Sequence, residues 1–138
     1  MEPKKIHLIG IGGIGMSALA KFYLYSGAAI SGSDLISSEI TDDLEKSGVS
    51  IAMGRHKRTN IPPGTNFVVY SAACPKNNPE LLEAKKRKIK LLSYAEALGE
   101  ITKKYKTITI SGSHGKSTTT ALCALVLEIG RASCRERV

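Results

Sequence analysis

The sequence predicts an α/β protein: a Rossmann-like, doubly wound parallel sheet, followed by the first strand, P-loop and helix of a second domain that the chain leaves incomplete. Three observations carry this prediction. Short apolar runs alternate with helix-length runs through the first hundred residues, the pattern of strands joined by right-handed helical crossovers. A glycine-rich turn, Gly10-Ile11-Gly12-Gly13-Ile14-Gly15, stands between the first strand-like and the first helix-like run. A second glycine-rich turn, Gly112-Ser113-His114-Gly115-Lys116-Ser117-Thr118, repeats that strand–loop–helix arrangement near the end.

Residues 5–11 (KIHLIGI) read as a buried strand running into glycines. Residues 13–25 read as a helix, with Ile14, Ala18, Leu19 and Phe22 at helical spacing. A second strand spans 28–33 and closes on Ser33-Asp34; a helix over 38–46 ends at Gly48, and 49–53 form a third strand. The prolines at 62 and 63 mark a loop before a fourth strand over 66–71. Pro79 opens a basic helix from the first-turn position that suits proline. A short fifth strand at 90–92 precedes a helix from Tyr94 to about Lys103. The expected organisation is therefore a substrate-binding Rossmann-like domain over 1–103 and the start of a second domain over 104–130. That second unit consists of a strand at 106–111, the loop, and a helix over 116–129 ended by Gly130. One strand and one helix cannot cover both faces of a sheet, so an exposed edge and self-association are expected. Residues 131–138 (RASCRERV) share no pattern with what precedes them and read as a non-native tail.

Composition excludes several classes. No apolar stretch reaches the roughly 20 residues that span a bilayer, and the first apolar run is too short for a signal-peptide core, so no membrane partner and a cytoplasmic location are expected. Cys74, Cys123 and Cys134 are widely spaced and form no CxxC pair, which argues against a disulfide framework or a zinc site. The net charge of +8 sits mainly in clusters at 85–90 and 103–106 that lack interleaved aromatics. Solvated helix faces explain them, and no nucleic-acid partner is expected.

In the first turn Gly10, Gly12 and Gly15 fit a GxGxxG fingerprint, whose backbone approaches a pyrophosphate held at the following helix N-terminus. Asp34 closes the second strand, where an acid accepts bonds from ribose hydroxyls or caps the next helix. NAD, FAD and a UDP-sugar all fit this pattern. The second turn is a shortened P-loop, GxxGKS, because Ile110 stands where GxxxxGK[ST] places glycine. Its mechanics predict ATP on the amides of Gly112, Ser113, His114, Gly115, Lys116, Ser117 and Thr118. Lys116 would lie on the β/γ oxygens and the Ser117 hydroxyl on Mg²⁺. After Lys116 only Glu128 and Glu136 offer carboxylates, so no complete ATPase site is expected within this chain.

Taken together, the segment from His7 to Ala18, Gly32-Ser33-Asp34, His56 with Asn60, Ser71-Ala72, Asn78-Pro79-Glu80 and the run from Gly112 to Thr120 resemble, in order, the Mur peptide ligases of bacterial cell-wall synthesis. The resemblance covers residues 5 to about 129. It implies that the first domain holds UDP-N-acetylmuramate, with Gly12, Gly13, Ile14 and Gly15 on the diphosphate and Asp34, His56 and Ser71 lining the pocket. It implies an ATP-dependent ligase in which the substrate carboxylate becomes an acyl phosphate that the amino group of L-alanine attacks. Lys116, as the catalytic residue of this segment, and Mg²⁺ would stabilise the transferring phosphoryl group. The alanine site would lie outside this chain, and His7 would be structural. Arg55 and Tyr94 depart from the family pattern, which has glycine and arginine there. A stand-alone dinucleotide-binding module is the competing reading, and it leaves the second loop unexplained.

Overall fold

A computed structural model describes residues 3–135, the side chains of 131–135 excepted. The chain divides into two compact units, Met1–Lys104 and Tyr105–Val138. The first contains strands β1 (Lys5–Ile9), β2 (Ala29–Asp34), β3 (Ser50–Met53), β4 (Phe67–Tyr70) and β5 (Lys90–Ser93). Between and after them run helices α1 (Ile14–Tyr25), α2 (Glu39–Lys46), α3 (Pro79–Lys86) and α4 (Tyr94–Thr102). All four strand pairings are parallel, in the order β3-β2-β1-β4-β5. The Rossmann-like doubly wound sheet expected from the alternation is present, with element ends within one or two residues.

The chain winds outward from β1 to β3, then crosses back through residues 54–66 to lay β4 on the other side of β1. Strand order thus reverses between β1 and β4, and an open parallel sheet binds ligands at the carboxyl ends of the strands beside such a reversal. Alternation along β1 feeds two cores. Ile6 and Leu8 pack with Met16, Leu19, Ala20, Leu44 and Ala97 from α1, α2 and α4. Ile9 packs with Val68, Leu81, Ala84 and Ile61 on the α3 side. His7 shares that second face and is fully buried.

Local sequence sets the helix starts. Ser38 caps α2 in a capping box with Thr41, Asn78 caps α3 ahead of Pro79, and Ser93 caps α4 in a box with Glu96. Each serves amides that the first turn leaves without partners.

In the second unit α5 (Lys116–Arg135) forms as expected, but two expectations fail. Residues 106–111 pair with no strand among the described residues. A strand is held by its ladder, and among the described residues from Tyr105 onward there is no second strand to supply one. Gly130 does not end the helix, which runs on to Arg135. Glycine stops a helix by adopting a left-handed conformation, and Gly130 does not adopt one. Residues 136–138 of the expected tail lie outside the described residues.

Two glycines of the first unit have opposite tolerance for a methyl group. A Cβ on Gly32 would lie 2.6 Å from Ile11 Cδ1, 2.9 Å from Ile11 Cβ and 2.9 Å from the Leu8 carbonyl oxygen, so β1 and β2 would have to separate. Gly99, inside α4, meets nothing within 4 Å. Denaturant unfolding should find Gly32→Ala less stable by about 1–3 kcal/mol. It should find Gly99→Ala more stable by up to about 1 kcal/mol, because alanine is the better helix former.

Candidate nucleotide-binding site

The first glycine turn is fastened to the end of β2. The Ser33 carbonyl accepts from Gly10 N–H at 2.8 Å and Ile11 N–H at 3.1 Å, with Gly10 in the left-handed region at φ +78°. The other glycines answer to neighbours. A Cβ at Gly10 would lie 3.0 Å from Ser71 Oγ, and one at Gly12 would lie 2.9 Å from Asp34 Oδ2. One at Gly15 would lie 2.9 Å from the Tyr94 ring and hydroxyl. Tyr94 therefore covers Gly15.

Three expected site groups, the turn, Asp34 and Ser71, meet at the carboxyl ends of β1, β2 and β4. The α1 N-terminus starts at Gly13, which has no side chain to cap it. The first-turn amides of Ile14, Gly15 and Met16 meet no protein acceptor among the described residues. Free amides and the positive end of the helix dipole are what a phosphate needs.

Asp34 does not cap α2, since Ser38 does so. Its Oδ2 accepts from Gly12 N–H at 2.8 Å and its Oδ1 from Leu35 N–H at 2.7 Å. The carboxylate thus shapes the turn. Oδ1 accepts a second, longer bond from Ile36 N–H at 3.4 Å. An ionised carboxylate has about four acceptor positions, so the one left for a ribose hydroxyl is on Oδ2.

The fourth expected group, His56, lies in the crossover after β3 and is held by a residue that sequence reasoning did not place in the site. Glu80, at the start of α3, is fully buried, and its carboxylate takes four donors. His7 Nε2 and Ser33 Oγ donate to Oε2, each at 2.8 Å. His56 Nδ1 and Asn60 Nδ2 donate to Oε1, each at 2.8 Å. His7 Nδ1 in turn lies 2.9 Å from Ser31 Oγ. Burial alone would raise the Glu80 pKa. The bonds from His7, Asn60, His56 and Ser33 outweigh it and bring the pKa down from 4.5 to about 2. His7 is structural, as expected. The signals that could have revealed Glu80 were its place just after the Asn78-Pro79 helix start and the four-residue spacing of His56 and Asn60. Neither says that the two meet.

Cys74 is no candidate nucleophile. Burial, and then the Glu80 charge, push its thiol up from the usual range.

In the second unit, Gly112 (φ +156°) and Gly115 (φ +73°) hold backbone conformations that other residues rarely adopt. Lys116 opens α5, and its Nζ donates to the Gly112 carbonyl at 2.6 Å, folding the ammonium back over the loop. Residues 112–118 are all exposed. Glycine-permitted backbone, a helix N-terminus and a lysine above them fit a polyphosphate.

A doubly wound sheet with an uncapped glycine turn at its strand reversal, followed by a second glycine loop carrying a lysine, is an arrangement that α/β proteins use to hold phosphates. The comparisons narrow that class. The model of the Mur ligase family, catalytic domain, matches residues 5–106. The UDP-N-acetylmuramate–L-alanine ligase of Clostridium beijerinckii is 53% identical over 122 residues, covering 88% of this chain and 26% of the relative. That of Clostridium botulinum strain Langeland is 50% identical over 124 residues, 89% of this chain and 27% of the relative. The crystal structure of the UDP-N-acetylmuramate-alanine ligase MurC of Thermotoga maritima superposes with a TM-score of 0.85 at 33% identity, covering 92% of this chain and 30% of that one. The chain belongs to the Mur ligase family. It spans about a quarter of the length of the curated relatives it matches.

The Glu80 cluster makes a pH prediction. A carboxylate whose pKa is lowered on folding stabilises the fold above its unfolded value, and that contribution is lost as pH falls through the folded value. Unfolding free energy should therefore drop between about pH 4.5 and pH 2, with this group contributing on the order of 3 kcal/mol. Glu80→Gln, less stable at neutral pH, should lack that drop, so the two stability curves should converge toward pH 2 in acid titrations.

Proposed function

We propose that the first unit holds UDP-N-acetylmuramate in a longer ligase that joins this substrate to L-alanine, and that the second unit begins its ATP site. The observation that carries the proposal is the meeting of the uncapped turn Gly12, Gly13, Ile14 and Gly15 with Asp34 and Ser71 at the strand reversal, in a chain about half identical to ligases of that name. The diphosphate lies on the α1 first-turn amides, while Ser71, Asp34 and His56 face the nucleoside and the nearer sugar.

In the second unit Gly112, Ser113, His114, Gly115, Lys116, Ser117 and Thr118 hold ATP, with the Ser117 hydroxyl directed to Mg²⁺. ATP supplies the phosphoryl group that activates the substrate carboxylate. Lys116 leaves the Gly112 carbonyl for the more strongly charged phosphate oxygens, and the glycine amides fix their position. The residues that complete the reaction, the alanine site among them, belong to the part of the relatives that this chain does not span, so no ligase turnover is expected from this chain alone.

Calorimetric titration should find binding of UDP-N-acetylmuramate and none of NADH or a short DNA duplex. Tight NADH binding without binding of the UDP-sugar would overturn the proposal in favour of a dinucleotide module. The exposed side chains of Ile108, Leu122, Leu125, Val126, Leu127 and Ile129 support self-association of this chain. Sedimentation should show a concentration-dependent increase in mass, and replacing Leu122, Leu125 and Val126 with glutamine should reduce it.

A further inference from the structure

We propose that buried Glu80 is a positioning residue: it fixes His56 in the Nδ1–H tautomer, so that His56 offers its Nε2 lone pair to a hydrogen-bond donor on the nucleoside of the bound ligand. The proposal rests on the nucleotide reading of the site and adds to it a residue outside the set expected from sequence.

The donor bookkeeping around Glu80 leaves little freedom. Each carboxylate oxygen is met by two groups at 2.8 Å. An ionised carboxylate accepts only, so all four of those groups donate. The Ser33 hydroxyl spends its hydrogen on Glu80 Oε2, which leaves its oxygen an acceptor toward its other neighbour, His56 Nδ1, at 3.3 Å. Both polar atoms beside His56 Nδ1 are therefore acceptors, and a lone pair on that nitrogen would face two others. Nδ1 carries the proton. In neutral imidazole the opposite nitrogen is then an acceptor.

The opposite nitrogen is placed to be used. The His56 side chain is 16% exposed while Glu80 and His7 are fully enclosed. His56 Nε2 has no protein partner among the described residues. A cluster that served stability alone would have no need of a half-emergent ring at the end of the β-strand layer. The second histidine on the same carboxylate, His7, ends on the Ser31 hydroxyl inside the protein.

A lone pair at this position selects a neutral donor and disfavours phosphate oxygens. In a uridine nucleotide two groups supply such a donor, the imide N–H of the base and a ribose hydroxyl.

Two measurements on this chain decide the matter. Long-range ¹H–¹⁵N correlation at pH 8 should show His56 with a protonated Nδ1 and an unprotonated Nε2, and Glu80→Gln should mix that pattern, because a glutamine amide offers one accepting oxygen where the carboxylate offered two. A protonated His56 Nε2 in the unmodified chain would overturn the positioning role without reference to any ligand. Titration with UDP, 3-methyluridine diphosphate, 2′-deoxy-UDP and 3′-deoxy-UDP should show one analogue weakened by about threefold to tenfold, and that loss should vanish in His56→Ala. A base-methyl penalty identifies the imide, and a deoxy penalty identifies the hydroxyl. Analogue losses that are the same in both proteins would overturn the ligand contact while UDP binding stands. No binding of UDP at all, with the Nδ1–H pattern present, would overturn the nucleotide reading and leave the tautomer lock supported.

Discussion

The carboxylate of Glu80 is the constraint on which the arrangement of the first unit depends. It joins β1 through His7, β2 through Ser33, the crossover through His56 and Asn60, and α3 through its own position on the helix. Those segments are far apart in sequence, and the crossover is the long return that reverses the strand order. A charge enclosed in this way is tolerable only because every acceptor position is filled. Loss of any donor leaves the charge under-solvated, so the strand ends, the crossover and the start of α3 hold one another in a single geometry.

The glycine turn stands on that platform. The Ser33 side chain serves Glu80 while its carbonyl holds Gly10 and Ile11, and the next residue, Asp34, holds Gly12. The end of β2 therefore links the buried charge to the first glycine turn. The glycines of the loop are needed for packing as much as for conformation. Only Gly10 has a positive φ, whereas Gly12 and Gly15 are small because Asp34 and Tyr94 occupy the space a side chain would take.

Most of the first unit was legible in the sequence because its signals are local. Apolar runs such as residues 5–11, the proline at 79, and the serine and asparagine caps each act within one turn or one strand. The turn, Asp34, His56 and Ser71 were singled out through motif and resemblance, and the structure gathers the turn, Asp34 and Ser71 at the strand ends. The role of Glu80 was not legible, although Asn78-Pro79-Glu80 carries part of the resemblance, because that role arises from partners up to 73 residues away. The second unit misled for a related reason. The run at 106–111 has strand composition, yet a strand needs a neighbour. Gly130 has the composition of a helix stop, yet the backbone there remains helical. Composition states a preference, and pairing decides it.

The central claim is that the first glycine turn and the ends of β2, the crossover and β4 form one nucleotide cleft organised by Glu80. Amide chemical-shift mapping during addition of UDP tests it most directly. The account predicts shifts concentrated at Gly12, Gly13, Ile14, Gly15, Asp34, His56 and Ser71, with those at 112–118 unmoved. Shifts confined to the second loop, or spread over the basic α3 face with none at Gly12 to Gly15, would contradict it.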